Sequence, residues 1–598
     1  MERLHHNGVL VPPRYKKKGL TIKVRGKKIK LTESQEEMAL AWAKKAGTAY
    51  IEDSVFAMNF HSDFSKKLGI SVKPGDVEYS EVVSFIEEKR AWKANLSKEE
   101  RKQLTAQRKV QREANKEHYG YAWVDGVKTE VANYTVEPSS IFIGRGNHPL
   151  KGRWKEGPSM DEIELNLWPG APRPHGNWKA IVWHPDATWI ARWRDKLTGK
   201  MKYVWLSDSS TLKQSKDIEK FNKARELRWN LMQVQRHIRE NLDADNLRRR
   251  KTATVCFIID ELKIRVGDEK DTDEADTVGA STLRREHIRF NGDGTVTLNF
   301  LGKDSVPHIF RPKLPENAIR NLKEFAANAR STLFDGVGSK QVNAFLGEVM
   351  NGLSAKVFRT YYASEAVETK LEKTAVKLED PEYVKKYTAK MANLEAAKVC
   401  NHKRAILKTW KSSLEKKEAR LKALKERANK AQDKLKNKAK AQEEKYREKM
   451  RKQSERLKAM KEELEAYRRQ LSEDKQRGKP TRALKRRVNL KRKAIAHQNQ
   501  RLKKLKAKHV ERMKKLRQRL KSRGKRDKAA VDKLVLRMKT QKKTRDYNLT
   551  TSLKSYIDPR IYCEWGKQVD YDWKRYYTRI LQKKFSWVES EDVSPENC

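Results

Sequence analysis

The chain has 598 residues, enough for about three or four domains. Its 135 Lys and Arg against 79 Asp and Glu give a net charge of +56, an isoelectric point near 10.0 and a mean hydropathy of −0.92. No apolar run approaches the ~18 residues of a spanning helix, and the charge points to a polyanionic partner, nucleic acid ahead of an acidic membrane surface.

Residues 1–215 read as mixed α/β. Strand-like pieces are Leu20 to Val24, Lys179 to Trp183 and Tyr203 to Leu206; 81–118 is helical and charged, and Gly and Pro punctuate 144–175 as in a loop-rich surface. From 216 to 404 longer helical patterns appear: Ile218 to Leu247 as one helix or two, the apolar stretch Val255 to Ile264 on a buried helix, and more helices from Ala318 into the 390s. A hairpin or meander is expected around 286–312, where Thr295 to Phe300 alternates and Asn291-Gly-Asp-Gly294 supplies the turn.

Residues 405–545 differ in kind. Lys411 to Arg545 holds 53 Lys and Arg against 16 Asp and Glu, a net +37, so it must face water or a polyanion. Leu414, Leu421, Leu424, Ala428, Ala431 and Leu435, then Leu457, Met460, Leu464, Tyr467 and Leu471, and again Leu502, Leu505, Met513, Leu516 and Leu520 make a heptad seam. Arg477-Gly-Lys-Pro480 breaks it. Two arms around one turn predict an antiparallel hairpin, each arm roughly 100 Å long, which returns the chain close to where it left. Residues 546–598 form a small tail rich in aromatic residues.

The chemistry-bearing residues are ordinary when taken singly. Cys256, Cys400, Cys563 and Cys598 are widely spaced, unlike a disulfide framework or a zinc site, and suggest a reduced, intracellular chain. The first residues hold no signal-peptide stretch. Asp271 to Asp276 lacks the central Gly and terminal Glu of a calcium loop, and no Gly-x-x-x-x-Gly-Lys-Ser/Thr phosphate loop is present. Tyr556 stands among basic residues before a Pro turn, where a phenol can serve as a nucleophile, although most of the 19 tyrosines must be structural. His402, Arg265, Lys303 and Arg359 each have a plain reading on a helix face or in a surface ion pair.

Together they carry a resemblance. Ser140-Ile-Phe-Ile-Gly-Arg-Gly-Asn-His-Pro149, Glu274-Ala-Asp-Thr-Val-Gly279, Phe300-Leu-Gly-Lys-Asp-Ser305, Ala355-Lys-Val-Phe-Arg-Thr-Tyr361, Cys400-Asn-His-Lys-Arg404 and Tyr556-Ile-Asp-Pro-Arg560 follow, in order, the pattern of the eukaryotic type IB DNA topoisomerases. The resemblance spans nearly the whole chain. It implies Tyr556 as nucleophile, Arg265, Arg359 and His402 as hydrogen-bond donors to the phosphate, Lys303 as general acid, and DNA contacts from Arg145, Asn147, Asp304 and Ser555. It implies no cofactor and no metal, a double-stranded DNA partner, a monomer, no membrane association, and work in the nucleus or on organelle DNA. The implied fold class is α+β multidomain: a mixed α/β DNA-clamp cap (1–215), a mainly helical catalytic core with a small β-meander (216–404), a long antiparallel coiled-coil linker (405–545) and a small helical C-terminal domain (546–598).

The sequence also departs from the family. Ser555 stands where Asn often precedes the nucleophile, which bears on sensitivity to camptothecin-type poisons, and Ile143 replaces a frequent Arg. The family's charged N-terminal tail and Trp-rich opening are not found, so import signals are expected at Lys485 to Arg487 or Lys491 to Lys493. Two other readings compete. Tyrosine recombinases use a similar constellation but need synapsis and specific sites, for which a long basic hairpin is odd; a non-catalytic binding protein explains the charge but not the ordered motifs.

Overall fold

The computed structural model describes residues 1–144, 146–268 and 276–591. Two compact units emerge. One takes in residues 1–379, 388–405 and 546–598, the other 380–387 and 406–545.

In the first unit the N-terminal part is built on small sheets. Leu4–His6, Tyr121–Val124 and Val127–Glu130 make one antiparallel sheet; Thr21–Val24, Lys27–Lys30 and Val77–Glu78 make another. A four-stranded sheet runs Ala180–Val182, Glu164–Asn166, Trp189–Arg194 and Met201–Trp205, with its first pair parallel. The expected strands therefore appear at 21–24, 180–182 and 201–205. The charged stretch is two helices, Ser80–Asn95 and Lys98–Tyr119. Ser97 begins the second through a capping box with Glu100, and that helix buries no residue, as its charge requires.

The helical half opens with two helices, Thr211–Glu240 and Leu247–Leu262, the second capped by Asn246. Every residue from Thr252 to Ile259 is buried. The sequence reading carried this helix to Ile264, but it stops at Lys263, whose left-handed backbone (φ 55°) turns the chain away. The meander is Ile288–Phe290, Val296–Gly302 and Val306–Phe310, antiparallel throughout, and the central strand alternates buried and outward positions. Helices Glu316–Asn328, Ser339–Gly347, Ala355–Glu372 and Glu382–Val399 follow.

The tail supplies helices Leu549–Ser555, Pro559–Gln568 and Arg579–Lys584. Its aromatic side chains, including Tyr562, Trp565, Tyr577 and Phe585, share one core with Phe221, Val367, Ala389 and Ala396. The tail and the helices upstream of the basic block are thus halves of one packed body.

The second unit is the hairpin. Its arms are Trp410–Gln476 and Arg482–Lys543, with Gly478 at φ 71° in the turn. Pairing between the arms is antiparallel: Trp410 Nε1 donates to Gln541 O (3.3 Å), His509 stacks on Tyr446 and meets Glu443, Gln498 bonds Gln453, and Lys491 meets Glu463. Leu414, Ala428 and Leu464 of the predicted seam are buried, and its other positions are half-buried between exposed flanks.

Candidate active site

Arg265 is placed by a backbone crossing. Beyond Lys263 the chain runs against residues 278–281: Ala280 N donates to Arg265 O (2.8 Å) and Ser281 N to Val266 O (2.7 Å). Gly267 (φ 84°) and Gly279 make the crossing, since a Cβ on Gly279 would lie 2.5 Å from Gly267 Cα. Lys303 opens the tight turn between the last two meander strands. Gly302, just before it, lies under the His308 ring, which stacks on Phe300 at 5.2 Å.

Arg359 sits in the second turn of Ala355–Glu372, 4% exposed. Its Nε donates to Lys263 O (2.8 Å), Nη2 to Cys400 O (2.7 Å), and Nη1 to Tyr556 Oη (2.9 Å); Nη2 also lies 3.3 Å from His402 Nε2. One guanidinium therefore ties together the end of one helix, the His402 segment and the tail.

His402 follows Asn401, whose left-handed backbone (φ 50°) bends the chain out of its helix. Its main chain joins a short neck: Asn548 N donates to His402 O (2.7 Å), Arg404 N donates to Asp546 O (2.8 Å), and Lys403 bridges Tyr547 in antiparallel fashion. The neck brings the chain before the basic block alongside the chain after it. Tyr556 ends Leu549–Ser555, with its N–H on Ser552 O (2.9 Å) and its ring 5.0 Å from the His402 ring. Asp558 and Pro559 then start the next helix; Asp558 caps it and is held by Arg560 and Arg225.

Arg265, Lys303, Arg359 and His402 line one cavity of about 70 Å³, together with His308 and Asn401, and Tyr556 Oη is bonded to its Arg359 wall. No Asp or Glu lines it among the described residues. Two arginines and two lysines, Lys303 and Lys403, around so small a space suit a single phosphoryl group. Burial, then the charges of Arg359 and Arg265, lowers the His402 pKa to about 3. Burial, then Lys403, Arg359 and Arg265, lowers that of His308 to about 4. Both imidazoles are neutral at pH 7, so each offers one N–H and one lone pair.

The remaining sequence-predicted residues fare differently. Arg145 lies outside the described residues, as does the side chain of Asp304. Asn147 is exposed, beside a Gly146 that rests on Ser305, and Ser555 is half-buried next to Tyr556; neither lines the cavity. Sequence reading missed His308, Asn401 and Ser552, the last of which is buried with its Oγ 2.7 Å from His402 Nδ1.

Comparison with known proteins places these observations. Three family models match in succession: "Eukaryotic DNA topoisomerase I, DNA binding fragment" over residues 1–206, "Eukaryotic DNA topoisomerase I, catalytic core" over 209–435, and "C-terminal topoisomerase domain" over 528–595. DNA topoisomerase 1 alpha of Arabidopsis thaliana is 32% identical over 605 residues, covering 99% of this chain and 59% of the relative. DNA topoisomerase 1 of Drosophila melanogaster is 31% identical, covering 72% of this chain and 46% of the relative. DNA topoisomerase I, mitochondrial, of Pan troglodytes is 31% identical, covering 72% and 74%. The chain thus spans about 59% of the length of the Arabidopsis relative. Among the described residues no helix is long and apolar enough to cross a membrane.

Proposed function

The chain belongs to the eukaryotic DNA topoisomerase I family, and from that premise we propose that it relaxes supercoiled duplex DNA through a transient single-strand break. Tyr556 Oη attacks a backbone phosphorus, forming the O–P bond of a 3′-phosphotyrosine as the P–O5′ bond breaks. The phenolic proton passes to solvent, and Lys303 protonates the leaving 5′ oxygen. Arg265, Arg359 and His402 hydrogen-bond the non-bridging oxygens, where negative charge builds in the transition state. Religation is the reverse, with Lys303 taking its proton back. Bond energy is kept in the phosphotyrosine, so the cycle consumes no ATP and requires no metal; between the two steps the broken strand swivels.

The observation that carries this reading is the 2.9 Å bond from Arg359 to Tyr556 Oη at the wall of a cavity shared by Arg265, Lys303 and His402. On the same reading, 1–215 acts as the cap of a DNA clamp, 216–404 as the core, 405–545 as the linker whose basic stretch Lys411 to Arg545, net +37, drags on rotating DNA, and 546–598 as the nucleophile-bearing domain of a nuclear monomer. Arg145, Asn147, Asp304 and Ser555 then contact DNA. Contacts of this kind go mostly to phosphates, so binding is weakly sequence-dependent and falls steeply with salt.

The test is relaxation of supercoiled plasmid in EDTA without ATP, beside Tyr556→Phe. Relaxation by the parent alone supports the proposal. Relaxation surviving in the Phe variant removes Tyr556 as nucleophile, site-restricted strand exchange favours a recombinase, and binding without relaxation leaves a non-catalytic protein.

A further inference from the structure

His402 needs a partner on its inward nitrogen, and the one it has is Ser552. Ser552 is completely buried in Leu549–Ser555, one turn before Tyr556. Its Oγ lies 2.7 Å from His402 Nδ1, while its carbonyl accepts Tyr556 N (2.9 Å) and Ile557 N (3.1 Å). One residue therefore holds the histidine ring and the nucleophile's backbone at once.

The other ring nitrogen faces an obligate donor. His402 Nε2 is 3.3 Å from Arg359 Nη2, and a guanidinium has no lone pair to offer. The ring is neutral, held so by burial and by Arg359 and Arg265. In the DNA-free protein Nε2 therefore accepts from Arg359, and the single ring proton sits on Nδ1, donated to Ser552 Oγ. A phosphoryl oxygen in the cavity demands the opposite, a proton on Nε2. Nδ1 must then accept, and the Ser552 hydroxyl must turn and donate. A hydroxyl fills both roles because it has one donor and two acceptor sites; a carboxylate only accepts, and a methyl does neither.

Building on the function proposed above, we propose that Ser552 is a positioning residue whose hydroxyl reverses its hydrogen bond so that His402 exchanges tautomers when the DNA phosphate arrives. The ring gives its Nδ1 proton to water and takes one from water at Nε2, so its charge is zero before and after.

The experiment uses full-length protein with ¹⁵N-labelled histidine imidazoles, the His402 signals identified by their loss in His402→Gln. Tyr556→Phe is compared free and bound to a nicked-site-free duplex of about one clamp footprint, so no cleavage intervenes. The expected spectra show Nδ1 protonated in the free protein and Nε2 protonated in the complex; one tautomer in both states overturns the proposal. In the otherwise native chain, Ser552→Ala is expected to slow single-turnover cleavage by ~10–100-fold, the scale of leaving a buried imidazole nitrogen without its hydrogen-bond partner, and Ser552→Thr, which keeps the hydroxyl, to recover most of it. Cleavage by the Ala variant at the parental rate, or Thr no faster than Ala, overturns it as well. If the parent fails to relax plasmid, the function proposed above is wrong; if it relaxes plasmid with the tautomer unchanged, only the role of Ser552 is lost.

Discussion

Arg359→Lys keeps the charge in the cavity and removes the fork. Arginine has five N–H donors spread over three nitrogens. Four face protein acceptors here: Lys263 O, Cys400 O, Tyr556 Oη and His402 Nε2. By that count one Nη1 hydrogen remains for a phosphoryl oxygen. A lysine ammonium carries its donors on one atom and cannot reach Lys263 O and Tyr556 Oη together. If it settles by the nucleophile, the carbonyls of Lys263 and Cys400 both lose charged partners at about 1.5–3 kcal/mol each, so about 3–6 kcal/mol of stability is at stake. The missing donor in the transition state costs a further ~3–4 kcal/mol, or ~10²–10³ in cleavage rate. Single-turnover cleavage of a suicide duplex, scored as covalent adduct, measures the second loss, and urea denaturation the first. Arg359→Ala should cleave no more than about tenfold slower than Arg359→Lys, since the fork is already gone in both. A Lys variant cleaving within about threefold of the parent refutes the reasoning, because a single cation would then suffice where a fork reaching Tyr556 Oη and the phosphoryl oxygen together is claimed.

Three other outcomes are expected. Gly279→Ala drives a Cβ into the Gly267 backbone; it should cost ~1–3 kcal/mol and slow cleavage more than it weakens DNA binding, because the neighbouring Ala280 N–H holds Arg265 O. Equal losses in both assays would detach that crossing from Arg265. Burial first, with nearby charges, lowers His402 to about 3 and His6 and His308 to about 4. From an ordinary value of ~6.5 down to those values the unfolded chain binds protons that the folded one refuses, so stability falls with falling pH by up to ~1.4 kcal/mol per unit per group. His6→Gln should flatten the slope between pH 4 and 6.5 in urea denaturation, and an unchanged slope removes His6 from the account. Gln498→Leu replaces a buried polar pin that bonds Gln453; the hairpin should melt higher yet pair less uniquely, read as a lower yield of a disulfide engineered at Glu463 and Lys491.

What the sequence revealed and what it withheld follow the reach of each interaction. The hairpin was legible because a seam at Leu414, Ala428 and Leu464 repeats within one helix, and Gly478 and Pro480 punctuate it locally. The meander was legible from alternation at Val296, Leu298 and Phe300. Arg359, His402 and Tyr556 stood out through the motifs around them. Ser552 did not, since its role exists only once His402, far away in the chain, arrives beside it. His308 was hidden for the same reason, as its Asn401 partner lies on another element. The stop at Lys263 was unreadable because a lysine, rather than a glycine, takes the left-handed position. The tail looked self-sufficient in aromatic residues, yet nothing local says that Phe585 packs near Phe221.

The shared core has a consequence for how the protein is made. Phe221, Ala389 and Cys400 belong to a core whose other half is Leu553 to Val588. During synthesis the first half leaves the ribosome and then waits while residues 406–545 are added, an interval of ~7–30 s at ordinary elongation rates. Throughout that interval the nascent chain carries Arg265, Lys303, Arg359 and His402 but no Tyr556, so on the proposed function it is expected to hold DNA without breaking it. A chain halted at Arg545 should bind duplex, bind a hydrophobic dye at the uncovered helices, and form no covalent adduct. On the function proposed above, strand breakage is thereby deferred until Tyr556 has been added, and a chain that stalls before it forms no covalent adduct with DNA.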